Sequence, residues 1–249
     1  MTIEPKECPI CKRGTNYVYN IKEHKGGESL WYQCPCGIIF QKEFNPNHKE
    51  EDLEDTENNQ RHGVKIYAPL IEELTYGRQV LQVGYTRSPE TLKELEKRGW
   101  LVWGIDKEGE GKDNLYKGDI FLYPFTPSIQ DNEIKEELKE EKRLFDLIWV
   151  QYSLERQYDP LGYLRKIYDL LAPTGVLYLS TPNIDTIFRQ GVANWAHWQK
   201  DDNNILFSKR ALVREVEKVG FKVIMSRDNS SVRFMGHSDI HLIAQKLIQ

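Results

Sequence analysis

Two sets of residues in this 249-residue sequence have the types and spacing to do chemistry. The first is a set of thiols. Cys8-Pro-Ile-Cys11 is followed, after 22 intervening residues, by Cys34-Pro-Cys36-Gly37, and the 213 residues beyond Cys36 contain no cysteine. Two close pairs, far enough apart for a hairpin to fold one onto the other, can present four thiolates to one tetrahedral zinc. A short segment poor in apolar residues gains from the metal the stability that its own core cannot supply. In a reducing compartment such clustering favours metal over disulfides. The pattern predicts a structural zinc site at Cys8, Cys11, Cys34 and Cys36. The C-x-C bite of the second pair is shorter than the commoner spacing, which keeps His24 and His48 open as substitutes for Cys34.

The second set lies at the ends of two apolar runs. Gly84 leads into Tyr85-Thr86-Arg87-Ser88, and Asp106 stands 22 residues further on. An acid at that distance suits two ribose hydroxyls, each of which can donate to a carboxylate. It suits a turn cap equally well. No second or third glycine accompanies Gly84, so the close-approach turn that cradles a pyrophosphate is missing and a ligand without phosphates fits better.

The elements that must position these groups are legible from periodicity. Around the cysteines, Tyr17 to Tyr19, Ser29 to Tyr32 and Ile38 to Phe40 read as strands, with a turn at His24-Lys25-Gly26-Gly27. Residues 45–62 are acidic and almost without apolar content, a solvated linker that divides the chain into a ribbon at 1–44 and a larger domain at 63–249. In that domain Val64 to Leu74 has helical spacing interrupted by Pro69, and Ser88-Pro89-Glu90 opens a helix that runs to about Arg98 and stops at Gly99. Apolar runs at Gln79 to Val83, Leu101 to Ile105, Leu147 to Val150 and Val176 to Leu179 read as strands, and a stripe from Leu161 to Leu171 as a helix. A helix over Ser208 to Val219 and strands at Phe221 to Met225 and His241 to Leu247 complete the pattern, with a charged, exposed helix over Asp131 to Arg143. Strands apolar on both faces and separated by helices predict an α/β fold with a doubly wound, mostly parallel, Rossmann-like sheet beside a small ribbon.

Composition excludes other classes. Hydrophobic residues at 39% can fill a core. Lys and Arg number 34 against 38 Asp and Glu, a net charge of −4, and the ribbon carries six bases against five acids, so nothing grips nucleic acid by its phosphates. No apolar run reaches the roughly 18 residues of a membrane span, and the first residues lack a signal-peptide core, so a cytoplasmic protein without membrane insertion is expected.

VLQVGYTRSPETLKELEKRGWLVWGID, GDI, and FDLIWVQYSLERQYDPLGYLRKIYDLLAPTGVLYLSTPN, together with CGIIFQKEFNPN and NILFSKRALVREVEKVGF, resemble the class I S-adenosylmethionine-dependent methyltransferases. The resemblance is to those with an amino-terminal zinc ribbon that modify sugars, glycans and small molecules, and it covers nearly the whole chain. It implies two cofactors, S-adenosylmethionine and zinc. Gly84 would lie against the methionine part, Asp106 would bind the ribose, Asp119 and Ile120 would flank the adenine, and Gln151 and Tyr152 would face the methyl group. Tyr152, Glu155 and His197 would act as base or orienting groups. Trp195, His197 and Trp198 fall where such enzymes build an acceptor pocket. The partner implied is a small-molecule or glycan acceptor, with the ribbon available to a protein partner.

Four departures bear on activity. Gln82 stands where the family has an acid, and Tyr85 to Ser88 where it has small residues. The Leu-Glu-His triplet reads Leu154-Glu155-Arg156, and a Glu-His pair reads Asn203-Asn204. They support the alternative of an inactive methyltransferase-like scaffold. An oxidoreductase or epimerase on this fold is disfavoured, because neither a Gly-rich pyrophosphate turn nor a Tyr-x3-Lys pair occurs.

Overall fold

The computed structural model describes residues 6–15, 18–22, 28–41, 57–109, 111, 114–122, 143–187, 195, 203–228 and 239–247. The expected turn at 24–27, the helix at 131–142, most of the linker, and His48, His197 and Trp198 lie outside them.

Strands β6 (Gln79–Val83), β7 (Leu101–Asp106), β8 (Leu115–Lys117), β9 (Phe145–Gln151), β10 (Leu171–Pro182), β12 (Phe221–Asp228) and β13 (Asp239–Lys246) form one seven-stranded sheet. Its order is β12-β13-β10-β9-β6-β7-β8. The pairs from β10 to β8 are parallel, and β13 runs antiparallel between β10 and β12. The doubly wound, mostly parallel sheet expected from the sequence is therefore present. Because β7 lies on one side of β6 and β9 on the other, strand order reverses between β6 and β9, where such sheets open a crevice at their carboxyl ends.

Alternate residues of the central strands face two different helix layers. Val80, Leu147, Trp149, Val176 and Tyr178 pack under helices α1 (Glu57–Leu74) and α2 (Pro89–Lys97). Leu81, Ile148, Val150, Leu177 and Leu179 pack on the opposite face with α3 (Pro160–Leu170) and α4 (Lys209–Val219). This two-sided burial is why the strands read as continuous apolar runs. Helix α1 begins at Glu57, inside the stretch read as linker. Its first turns are polar, so apolar spacing could not find them, and they are held instead by Arg61 and Gln60 reaching Glu90 of α2. Ser88 occupies the N-cap position of α2, but its side chain makes no capping bond. Asp159 and Ser208 do cap α3 and α4 through Gly162 N and Ala211 N.

The amino-terminal strands β1 (Lys6–Glu7) and β2 (Gly14–Thr15) pair around the first knuckle, and β3 (Val18–Lys22), β4 (Glu28–Cys34) and β5 (Ile38–Gln41) form an antiparallel meander. A three-residue strand that periodicity could not detect, β11 (Ile205–Phe207), adds to the edge of β5. One apolar cluster joins Cys8, Tyr32, Ile38 and Phe40 to Leu154, Phe207 and Leu212. A second joins Trp31 and Ile39 to Ile184, Trp195 and Leu206. Trp195 is fully buried there and packs into this cluster, with its indole N–H donated to Thr186 Oγ1. Among the described residues no helix is long and apolar enough to cross a membrane.

Candidate active site and four-cysteine centre

At the end of β6, Gly84 adopts φ 79°, a left-handed conformation costly to residues with a β-carbon. It turns the chain into the short helix Tyr85–Arg87, and its N–H donates to Ile105 O at 2.8 Å. A β-carbon on Gly84 would lie in ordinary van der Waals contact with Gln151 O at 3.8 Å and Ser153 Cβ at 4.0 Å, so the turn packs beside the chain leaving β9. Tyr85 lies elsewhere. The ring is buried against β7, where a β-carbon on Gly104 would come within 2.7 Å of it.

Asp106, at the end of β7, holds two loops at once. Its Oδ2 accepts from the Thr86 hydroxyl at 2.5 Å and the Thr86 amide at 3.3 Å, and its Oδ1 accepts from the Glu108 amide at 3.0 Å. A carboxylate has about four acceptor positions, so at least one remains among the described contacts. Gln82, fully buried beneath the turn, donates through Nε2 to Ser88 O at 3.0 Å, while its Oε1 has no hydrogen-bond partner among the described residues.

Asp119 caps the turn Ile120–Leu122 by accepting from Phe121 N at 3.0 Å, and its other oxygen pairs with Lys107 at 3.1 Å. Ile120 is buried in the main core. Gln151, at the end of β9, is buried and accepts from the Thr91 hydroxyl of α2 at 2.9 Å. Tyr152 follows at φ 47°, a conformation that costs a non-glycine residue energy and recurs at functional sites. Its amide donates to Ser180 O at 3.0 Å, and its hydroxyl donates to the buried carboxylate of Asp239. Glu155 is buried and accepts from Thr181 Oγ1 at 2.9 Å. Its carbonyl accepts from Asn204 N at 2.8 Å, and Asn204 Nδ2 donates to Arg156 O at 2.8 Å. Since Gln41 of β5 donates to Asn204 O at 2.9 Å and Asn203 O at 2.8 Å, one polar seam runs from the ribbon to the turn after β9.

The structure thus brings Gly84, Asp106, Gln151 and Tyr152 to one end of the sheet around the reversal of strand order, with Glu155 on the turn that follows. Sequence reasoning missed Asp239, Thr91 and the pair Tyr178–His241. Tyr178 Oη and His241 Nδ1 lie 2.9 Å apart under α1, and burial brings the imidazole pKa down to about 4, so His241 is neutral near pH 7. Asp239 and His241 could have been located only from the antiparallel register of β13, which sets them opposite Pro182 and Ser180.

The four cysteine sulfurs all lie within 4.8 Å of one another. Cys8 and Cys36 are 3.7 Å apart and Cys11 and Cys34 3.5 Å, close to the roughly 3.8 Å between sulfurs bound at about 2.3 Å to one tetrahedral zinc. The Cys11 amide points at Cys8 Sγ at 3.4 Å. A hydrogen bond from Cys36 outweighs burial and brings the Cys8 thiol down to about 5, while Cys36 is pushed up by the same contact. The short C-x-C bite does not keep Cys34 out of the set.

Strand order thus reverses between β6 and β9, with Gly84 ending β6 and Asp106 ending β7. The chain belongs to the methyltransferase-domain family, whose sequence pattern matches residues 57–226. Its fold is similar to that of a SAM-dependent methyltransferase from Methanosarcina mazei at 17% identity and TM-score 0.51, covering 73% of this chain and 98% of that one. A SAM-dependent methyltransferase from Archaeoglobus fulgidus is similar at 18% identity and TM-score 0.52, with 77% and 95% covered. A methyltransferase from Haloferax volcanii solved with the Trm112 methyltransferase activator is similar at 13% and 0.52, with 76% and 94% covered. At these identities the likeness is one of fold. No curated protein matches the sequence.

Proposed function

We propose that this protein transfers a methyl group from S-adenosylmethionine to a sugar, glycan or related small molecule. The observation that carries the reading is the pairing, in a methyltransferase-family chain, of a left-handed glycine turn at Gly84 with Asp106 at the reversal of strand order. The residues fit the cofactor. Gly84, which has no side chain, would lie against the methionine part, Gln82 Oε1 is a buried acceptor with no partner among the described residues, and Asp106 would accept from a ribose hydroxyl once Thr86 rotates its own away. Asp119, Ile120 and Gln151 would form the adenine and methionine walls. The bound cofactor supplies an electrophilic methyl group on a sulfonium.

Methyl transfer is an in-line displacement, so the chain's first task is positioning. An acceptor that must lose a proton also needs a base. Tyr152 Oη, held by Asp239, is the group best placed to orient such an acceptor and hand its proton inward; Glu155 and His197 are the other candidates. A sugar or glycan acceptor rests on the resemblance of the ribbon tail and of the stretch before α4. The ribbon, with zinc on its four cysteines, offers a surface to a protein partner, and reduced thiols suit a cytoplasmic setting.

Incubation with methyl-labelled S-adenosylmethionine and a panel of nucleotide sugars, free sugars and glycans tests the reading. Label transfer to one of them, reduced at least tenfold by Tyr152→Phe, is expected. Cofactor binding without transfer to any sugar or glycan would reassign the acceptor class.

A further inference from the structure

One wall of the four-cysteine centre comes from the large domain. Gly37, next to Cys36, has φ 93° and lies so close to the start of α4 that a β-carbon there would be 2.6 Å from Ser208 Oγ and 3.1 Å from Ala211 Cβ. The Gly37 carbonyl accepts from Ser208 N at 2.9 Å. The second knuckle and α4 therefore meet at backbone distance, with a cavity of about 540 Å³ beside them lined by Pro35, Cys36, Arg210, Arg214 and Glu217.

Arg214 and Cys36 line this cavity together, and Arg214 is anchored on its own helix. Its Nε pairs at 2.7 Å with Glu215, whose side chain is only 1% exposed. Moving the guanidinium away would cost a buried carboxylate one of its two described cationic partners, the other being Lys218 at 3.1 Å. Four thiolates around a divalent ion carry a net charge of about −2, which donors outside the ligand set commonly relieve. At the first pair a backbone amide, that of Cys11, performs this role.

We propose that Arg214 is the outer positioning residue of the metal centre: from α4 it offsets the charge on the Cys36 corner, so that the ribbon's zinc affinity depends on a side chain of the methyltransferase domain. This rests on the reading of the cluster as a zinc site. No cysteine spacing could reveal it, because Arg214 lies on a helix far along the chain.

The test is zinc affinity of the full chain, measured by competition with a chromophoric chelator, for the natural protein and for Arg214→Ala, Arg214→Met and Arg214→Lys. Since Arg214 is partly exposed, the expected loss for Ala is at the low end of the range for such partners, about tenfold. Met, which restores bulk without charge, should lose as much, and Lys should recover part of it. The gap between natural and Ala proteins should narrow at high ionic strength. Recovery by Met but not Lys would mark a packing role and overturn the proposal, as would equal affinity in all four proteins. A natural chain that takes up no zinc would remove the metal site itself, and the proposal with it. If the Ala variant is poorly folded, the contrast between Lys and Met decides.

Discussion

In the four-cysteine centre, side chains from two knuckles converge on a common point and leave their sulfurs facing one another. At the strand-end crevice the opposite holds. Asp106 is turned to Thr86 and Glu108, Asp119 to Phe121 and Lys107, Gln151 to Thr91, Tyr152 to Asp239, and Glu155 to Thr181. As a zinc site, the cluster would gain its full interaction when the ion arrives, because nothing must be displaced except protons. On the proposed function, cofactor binding would exchange internal hydrogen bonds at the strand ends for bonds to the ligand, and such exchanges yield only about 0.5–1.5 kcal/mol each, or about 1.5–3 kcal/mol where a charged group is involved. Large effects on stability are therefore expected at the ribbon and modest effects on affinity at the crevice.

The largest effect should follow Cys34→Ala. Elemental analysis should show zinc lost. Because ribbon and sheet share one apolar cluster, the whole chain should unfold more easily, by at least about 3 kcal/mol out of the roughly 10–16 kcal/mol with which structural zinc binds. Chemical denaturation followed by tryptophan fluorescence checks this. A ribbon that melted separately, leaving the sheet's transition unmoved, would break the comparison.

Next in size is acid sensitivity under α1. The folded-state pKa of His241, brought down by burial to about 4, lies below the ordinary value of about 6.5, so the unfolded chain binds the extra proton first. Stability from this group is complete above about pH 6.5 and is lost as pH falls toward 4, by about 3 kcal/mol in all at about 1.4 kcal/mol per unit. His241→Gln should flatten the stability profile over that window. An unchanged slope would mean that the imidazole already protonates in the folded protein.

At the crevice, Asp106→Ala should weaken S-adenosylhomocysteine by about 1.5–3 kcal/mol, the range for hydrogen bonds to a charged group. It should also lower the melting temperature of the unliganded protein, since Thr86 and Glu108 lose their acceptor. The smallest effect is expected for Thr86→Ala. It frees Asp106 Oδ2 from the competing hydroxyl and should tighten the same ligand by about 1 kcal/mol. Weaker binding would show Thr86 to be a contact rather than a competitor.

How far these features could be read from sequence follows from their range along the chain. The cysteine centre was legible because each knuckle is a local spacing, and the main strands were legible because residues such as Leu147 to Val150 are buried on both faces. Strands β8 and β11 have three residues each, too few to show a period, so the completion of the ribbon sheet by the large domain left no trace. Gly84 and Asp106 could be named from strand ends, but the Thr86 hydroxyl on Asp106 is a matter of loop geometry. Asp239 and His241 reach the crevice side only through the register of β13 on β10. A buried acid on a late strand looks, in sequence, like any exposed one.

The most direct test of the central claim is calorimetric titration of the zinc-replete chain with S-adenosylhomocysteine, run beside Asp106→Ala. One saturable site in the natural protein, weakened at least about tenfold by the substitution, is the predicted result. The absence of binding at millimolar ligand, or binding that Asp106→Ala leaves unchanged, would contradict the assignment of the crevice as the cofactor site.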